Sequence, residues 1–224
     1  MGYKFNDSYF DKIDTEEKAY WFGFLMADGY NSNYEVVINL KGSDQDHLSK
    51  FLKAIDGDQE IKLRDKESVC SVRISSKKMC LDLEEKGCIK AKSLVLEFPI
   101  DCFHPSLMRH FVRGYFDGDG CIYVDKKGHR RVTFFSGSVK FIDGLEKYFE
   151  QAGLSGFARY KDSRFLVCSN KKGVDKIEEF MYEKASIFLE RKRTKFNVRK
   201  CHVTAEEHWF HGNAGETNEL RTIS

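Results

Sequence analysis

Residues 20–30 read Tyr-Trp-Phe-Gly-Phe-Leu-Met-Ala-Asp-Gly-Tyr, and residues 111–121 read Phe-Val-Arg-Gly-Tyr-Phe-Asp-Gly-Asp-Gly-Cys. Each stretch is mainly apolar or aromatic, carries a glycine followed four positions later by a second small residue, and closes on Asp-Gly. Two copies of one pattern, each opening roughly a hundred residues of similar order, predict a duplicated unit. Read as helices, the copies put Gly23 with Ala27, and Gly114 with Gly118, on one face. Small residues at that spacing let two helix backbones approach closely. Glycine inside a helix costs about 0.5–1 kcal/mol relative to alanine, so Gly114 and Gly118 need a packing reason, and the four small positions are predicted to line a helix–helix interface. Trp21, Phe22, Phe24, Leu25, Phe111, Tyr115 and Phe116 then supply the core of each half. Gly29 and Gly120 are expected to stop the helices as left-handed caps.

The segments after the two copies are also alike. Residues 34–41 alternate as a strand, with Tyr34, Val36, Ile38 and Leu40 on one face. Asp44 is a candidate N-cap for a helix through Leu48, Phe51, Leu52 and Ile55. Strands are predicted at 59–65 and 69–75, and a helix at about 76–86. In the second half, strands are predicted at 121–126 and 130–136. A helix comes next with Phe141, Ile142, Leu145, Tyr148 and Phe149 on one face, then strands at about 156–161 and 164–169 and a helix from about 172. Leu94–Pro105 joins the halves, and Pro105 suits the start of the second motif helix. The expected fold is α+β: two αββαββα halves, 1–98 and 99–200, and then a polar tail, 201–224.

The Asp-Gly ends carry the chemistry. Asp28 and Asp119 fall at helix C-termini, where the macrodipole disfavours a carboxylate. If the helices pair side by side, two like charges share one end of the seam. A divalent cation with oxygen ligands offsets both effects, and such a cation can activate water and stabilise charge on a phosphate oxygen. Asp-Gly alone is a common turn dipeptide; the agreement between two copies carries the reading. A calcium loop is a poor alternative, because Asp117-Gly-Asp119-Gly-Cys121-Ile122 lacks the third ligand and the turn glycine.

The two segments resemble the paired signatures of LAGLIDADG homing endonucleases, in the two-motif, single-chain branch. Trp21–Gly29 and Val112–Gly120 align without gaps to the nine-residue motif, and the likeness spans roughly residues 15–200 with the repeated αββαββα order. Met26 stands where the family often has aspartate, but the acidic eighth position is kept as Asp28 and Asp119. The resemblance implies a pseudo-twofold monomer with the motif helices at its centre and antiparallel sheets forming a saddle on double-stranded DNA. The two carboxylates would bind divalent metal, most often Mg²⁺ with Mn²⁺ or Ca²⁺ able to occupy the sites. They would serve hydrolysis of one phosphodiester per strand, leaving 3′ overhangs in a long target. It also implies a basic residue beside the scissile phosphates, matched by position to Lys92 and Lys192, each of which could equally be an ordinary surface lysine. A polar strand residue that orients water falls near Asn39; the second half offers no unambiguous match around Phe134.

Strand alternation selects DNA-facing residues: Asn39 and Lys41, then Lys62 and Arg64 opposite Ile61 and Leu63, then Arg73 opposite Val72 and Ile74. Arg131, Arg159, Lys161 and Arg164 are available in the second half. The run Glu190-Arg-Lys-Arg-Thr-Lys195, with Arg199 and Lys200, could contact phosphates.

Composition bounds these readings. Among 224 residues, 37 Lys+Arg face 35 Asp+Glu for a net +2, so a nucleic-acid surface must come from charge distribution, not from its sum. No apolar run approaches a membrane helix, and the first twenty residues lack a signal-peptide core. Seven cysteines, without a CxxC pair, argue against a disulfide scaffold or zinc ribbon, and the expected location is intracellular, cytoplasmic or organellar. Cys201, His202, His208 and His211 match no standard zinc spacing. The rival reading is a non-cleaving DNA-binding regulator or RNA maturase of the same fold. An intein is disfavoured by the residues at the chain ends, and a purely structural role leaves the two carboxylates unexplained.

Overall fold

The computed structural model describes residues 2–32, 34–64, 66, 68–90, 94–159 and 163–197. The first motif lies on helix α1 (Glu16–Asp28), which begins where the Thr15 hydroxyl accepts a hydrogen bond from the Lys18 amide at 3.2 Å. Glu16 and Glu17 in its first turn complement the helix dipole. Residues 19–26 are buried all round, as expected of a helix inside a protein instead of on its surface. The second motif lies on α4 (Met108–Asp119), buried from Phe111 to Asp117 and entered through a 3-10 turn, Pro105–Leu107.

Each motif helix feeds an antiparallel sheet of identical plan. β1 (Gly29–Asn31), β2 (Glu35–Lys41), α2 (Gln45–Ala54), β3 (Lys62–Arg64), β4 (Val69–Ser75) and α3 (Lys77–Glu85) follow α1. After α4 come β5 (Cys121–Val124), β6 (Arg130–Phe135), α5 (Val139–Gln151), β7 (Phe157–Ala158), β8 (Phe165–Cys168) and α6 (Lys171–Tyr182). The strand orders, β1-β2-β4-β3 and β5-β6-β8-β7, are the same, so the duplication read in the motifs extends to the topology. A further helix, α7 (Glu190–Phe196), comes after the repeat.

Register decides which face of each sheet is buried. Val36 pairs with Ile74, Ile38 with Val72 and Leu40 with Cys70, and all six side chains lie in the core. In the second sheet Val132, Phe134, Leu166 and Cys168 do the same. The helices cover these faces and leave the opposite faces open.

Several sequence expectations are corrected. Gly29 and Gly120 are not left-handed; both are extended, with φ −75°, because the chain runs straight from helix into strand. Glycine is needed for space: a Cβ on Gly29 would lie 2.6 Å from Leu25 O, and one on Gly120 at the same distance from Phe116 O. Asp44 does not cap α2. Its Oδ2 accepts from Arg191 Nε at 2.7 Å, and a 3-10 turn, Gly42–Asp44, precedes the helix. Tyr34 is exposed ahead of β2, and Leu63, although it pairs with core-facing Cys70, is 43% exposed because it sits on an edge strand. The tail 201–224 lies outside the described residues.

Candidate metal and nucleic-acid site

The two motif helices pack in parallel and in register. A Cβ on Gly23 would collide with Phe111 O, one on Gly114 with Tyr20 O, and one on Gly118 with the Ala27 side chain, 3.4 Å from the Asp28 amide. Gly23 thus matches Gly114, Ala27 matches Gly118, and Asp28 matches Asp119. All four small residues predicted for the interface lie in it. The helices also end together, so Asp28 and Asp119 leave the same end of the pair.

Both carboxylates act on the same neighbours. Burial, with smaller contributions from Asp119 and Asp28, holds the Tyr115 phenol well above its ordinary range. Lys192 is buried, which brings its ammonium down to about 8 against the opposing pull of Asp117, Asp28 and Asp119. Its Nζ donates to Phe116 O at 2.8 Å, Gly118 O at 2.7 Å and Gly120 O at 2.6 Å. An ammonium has three donors, and all three go to the carbonyls closing α4. Lys192 therefore caps the helix that carries Asp119, where cations complement the dipole. The other lysine matched by position, Lys92, lies outside the described residues.

Sequence reasoning missed the polar cluster beneath the pair. Asp117, two residues before Asp119, is fully buried and accepts from Tyr20 OH at 2.8 Å, Tyr182 OH at 2.9 Å and the Leu189 amide at 2.7 Å. Burial pushes its carboxyl up. Because the Tyr20 proton goes to Asp117, His47 Nε2, 2.9 Å from Tyr20 OH, must be the donor of that pair. Its Nδ1 is then a bare acceptor, buried and unpartnered among the described residues, and burial holds the imidazole down near 3. Arg113 is also buried, its guanidinium bonded to Ile187 O, Met181 O and Glu16 Oε1 at 2.7–2.8 Å. The usable signal was an acid and an arginine inside an apolar helical run, where neither persists without partners.

The open face of the first sheet gathers the predicted basic and polar residues. Asn39 opposes Ser71 and Ser71 opposes Lys62, while Val69 opposes both Lys41 and Arg64. Arg73 shares this face and is ion-paired with Glu35. The second sheet differs. Arg131 is on its open face, with its guanidinium 5.2 Å from the Tyr123 ring centre, but the face also shows Tyr123 (53% exposed) and Phe135 (44% exposed) beside Phe165. By topology Phe135 takes the place that Asn39 has in the first sheet. Arg164 is exposed just ahead of β8.

Arg159 is a correction. It turns to the helix side, bonding Asp143 at 2.5 Å and Glu146 at 3.1 Å on α5, because β7 ends at Ala158 and the alternation stops there. Lys161 lies outside the described residues, as do Arg199 and Lys200. The basic run on α7 is largely spent inside the molecule: Arg191 on Asp44, Lys192 on α4 and Arg193 on Glu178.

The donor set suits a hard cation. Two carboxylates at one helix-pair end are oxygen ligands of the kind Mg²⁺ takes, with water and phosphate completing the shell. Among the described residues no group of three or more His, Cys, Asp or Glu forms a closed metal cage, and no helix is long and apolar enough to cross a membrane.

Residues 106–174 match the family model of the LAGLIDADG-like domain. No curated protein matches the sequence. Among solved structures, the I-LtrWI LAGLIDADG homing endonuclease bound to target DNA is 11% identical, with 82% of this chain and 90% of that one covered at a TM-score of 0.54. The LAGLIDADG meganuclease I-AabMI bound to uncleaved DNA is 14% identical, covering 79% and 87% at 0.53. The N-terminal LAGLIDADG domain of DUF199/WhiA is 15% identical, covering 79% and 89% at 0.51. At these identities the likeness is one of fold. Residues 106–174 thus carry a LAGLIDADG-like domain, and the described chain shares its fold with the LAGLIDADG structures.

Proposed function

We propose that the chain is a site-specific DNA endonuclease that makes a double-strand break with 3′ overhangs in a long target. Asp28 and Asp119 would hold divalent metal, most readily Mg²⁺. The observation that carries this reading is the in-register helix pair, which delivers both carboxylates to one end of the seam beside two open sheet faces. When bound, the metal would supply an activated water and charge stabilisation at the scissile phosphate. The chain's own contribution is positional. The glycine-lined seam fixes the spacing of the carboxylates, and Lys192 holds the α4 end that carries Asp119. Lys41, Lys62, Arg64 and Arg73 give the first sheet a cationic face for a phosphate backbone. Asn39 would orient water or read a base edge, and Arg131 would contact DNA from the second sheet. Lys92 is proposed as a supporting group by motif position alone. The acting species is a monomer, since one chain carries both motifs.

Incubating the parent with a randomised target library and Mg²⁺ should yield cut sites, and Asp28→Asn or Asp119→Asn should abolish double-strand cleavage while leaving binding in place. A second reading, a non-cleaving DNA-binding regulator or an RNA maturase, draws on the second sheet, where Phe135 replaces the polar residue that Asn39 provides in the first. A parent that binds selected DNA but cuts none of it would move the assignment there.

A further inference from the structure

We propose that the N-terminus of α5 is a phosphate-binding site separate from the carboxylate pair. The helix is 13 residues long, and the amides of Val139, Lys140 and Phe141 in its first turn have no acceptor within it. The residue placed to cap them is Ser138, extended at φ −100°, ψ 124° and 1% exposed. A serine there ordinarily sends its oxygen to a first-turn amide. In this chain its hydroxyl makes no cap hydrogen bond and has no partner among the described residues, while its own amide is taken by Ser136 Oγ at 3.1 Å. One buried hydroxyl and the positive end of a helix dipole are thus left unused at one point, the arrangement that an anion completes.

A recess of about 250 Å³ lies in front of them, walled by Leu94, Val95, Ser138, Lys140 and Arg164. Two cations flank the opening. Arg164 is exposed. Lys140 Nζ is 3.0 Å from Glu97 Oε1, in a pair exposed on both sides, so it is only weakly held. Glu97 is the carboxylate that competes with an incoming anion. Two hydrogen bonds and one strand pairing fix the recess on the second sheet's inner end. Ser136 N bonds Arg164 O at 2.9 Å, Tyr115 OH bonds Phe135 O at 2.8 Å, and Cys121, two residues after Asp119, pairs with Thr133.

The ligand is a single tetrahedral phosphate group. It could come from a backbone phosphodiester, in which case the site rests on the DNA reading above, or from free phosphate. Amide spectra of ¹⁵N-labelled full-length protein separate the two. Inorganic phosphate, added against chloride at matched ionic strength, should shift the Gly137–Phe141 amides. Ser138→Ala and Arg164→Gln should each weaken that response roughly three- to tenfold, and Glu97→Gln, a surface change that spares the fold, should strengthen it about two- to threefold. A mixed-sequence duplex that shifts the same amides, with Arg164→Gln lowering the slope of log affinity against log salt by about one, identifies the phosphodiester as the source. Response to inorganic phosphate alone assigns the recess to free phosphate. Silence of these amides to both probes, or variants that titrate like the parent, overturns the site. If the duplex shifts the sheet faces and neither probe shifts these amides, the recess is wrong and the DNA reading stands. If the duplex does not bind but phosphate still shifts these amides, the DNA reading fails and the recess stands.

Discussion

Lys192 shows how much one buried side chain can decide. Its three protons close α4 through three carbonyls, and burial brings it down to about 8. Above that pH the folded protein loses one of the three bonds. The proposed nuclease activity is therefore expected to fall above about pH 8, and Lys192→Met should cut its rate at least about tenfold at pH 7 and erase the alkaline limb. Stability should move the other way. Between pH 8 and the ordinary lysine value the unfolded chain holds a proton that the folded chain has released, so stability rises with pH in that window. Melting temperatures of parent and Lys192→Met across pH 7–10 should converge or diverge accordingly, the parent gaining on the variant as pH rises; a constant gap would contradict the assignment. The sequence placed Lys192 near the site by motif position, but its acceptors lie more than seventy residues away in the chain, beyond any local pattern. Asp117 was legible only as an acid in an apolar run, since its partners Tyr20, Tyr182 and Leu189 come from three separate segments.

At the scale of elements, the motif helices were legible because their burial is written as composition: apolar on every side, with small residues four apart. The seam they form leaves no room for a methyl group. Gly23→Ala and Gly114→Ala would each press a Cβ onto a carbonyl of the facing helix, and each should cost about 3 kcal/mol or more in urea unfolding. Gly118→Ala meets a side chain instead of backbone and should cost less; equal losses at the three positions would mean that the seam yields uniformly. Strand ends were less legible. The predicted 156–161 strand shrinks to Phe157–Ala158, and with it went the alternation that had turned Arg159 outward. The left-handed caps failed for a related reason: a glycine needed for close approach and one needed for positive φ look the same in sequence.

Across the whole molecule, charge is sorted instead of accumulated. A net +2 coexists with a first sheet whose open face carries Lys41, Lys62, Arg64 and Arg73. Lys62→Ala and Arg64→Ala should each lower the salt slope of DNA affinity by about one. Arg159→Ala should leave that slope unchanged and instead cost about 1–2 kcal/mol of stability through its lost bonds to Asp143 and Glu146. A slope that responds to Arg159 but not to Lys62 or Arg64 would put the nucleic acid on the wrong side of the molecule. The duplicated plan itself was readable from the two motifs, yet the halves are no longer interchangeable. Where α4 has Asp117, α1 has Met26, and where α1 has Tyr20, α4 has Phe111. Two copies of the second half would set each buried aspartate against a phenylalanine with no hydroxyl to give it; two copies of the first would leave a tyrosine hydroxyl facing methionine. Pairing unlike halves gives Asp117 its third donor beside Tyr182 and Leu189, and gives the Tyr20 proton its acceptor, so the mixed seam satisfies its buried polar groups better than either twin pairing would.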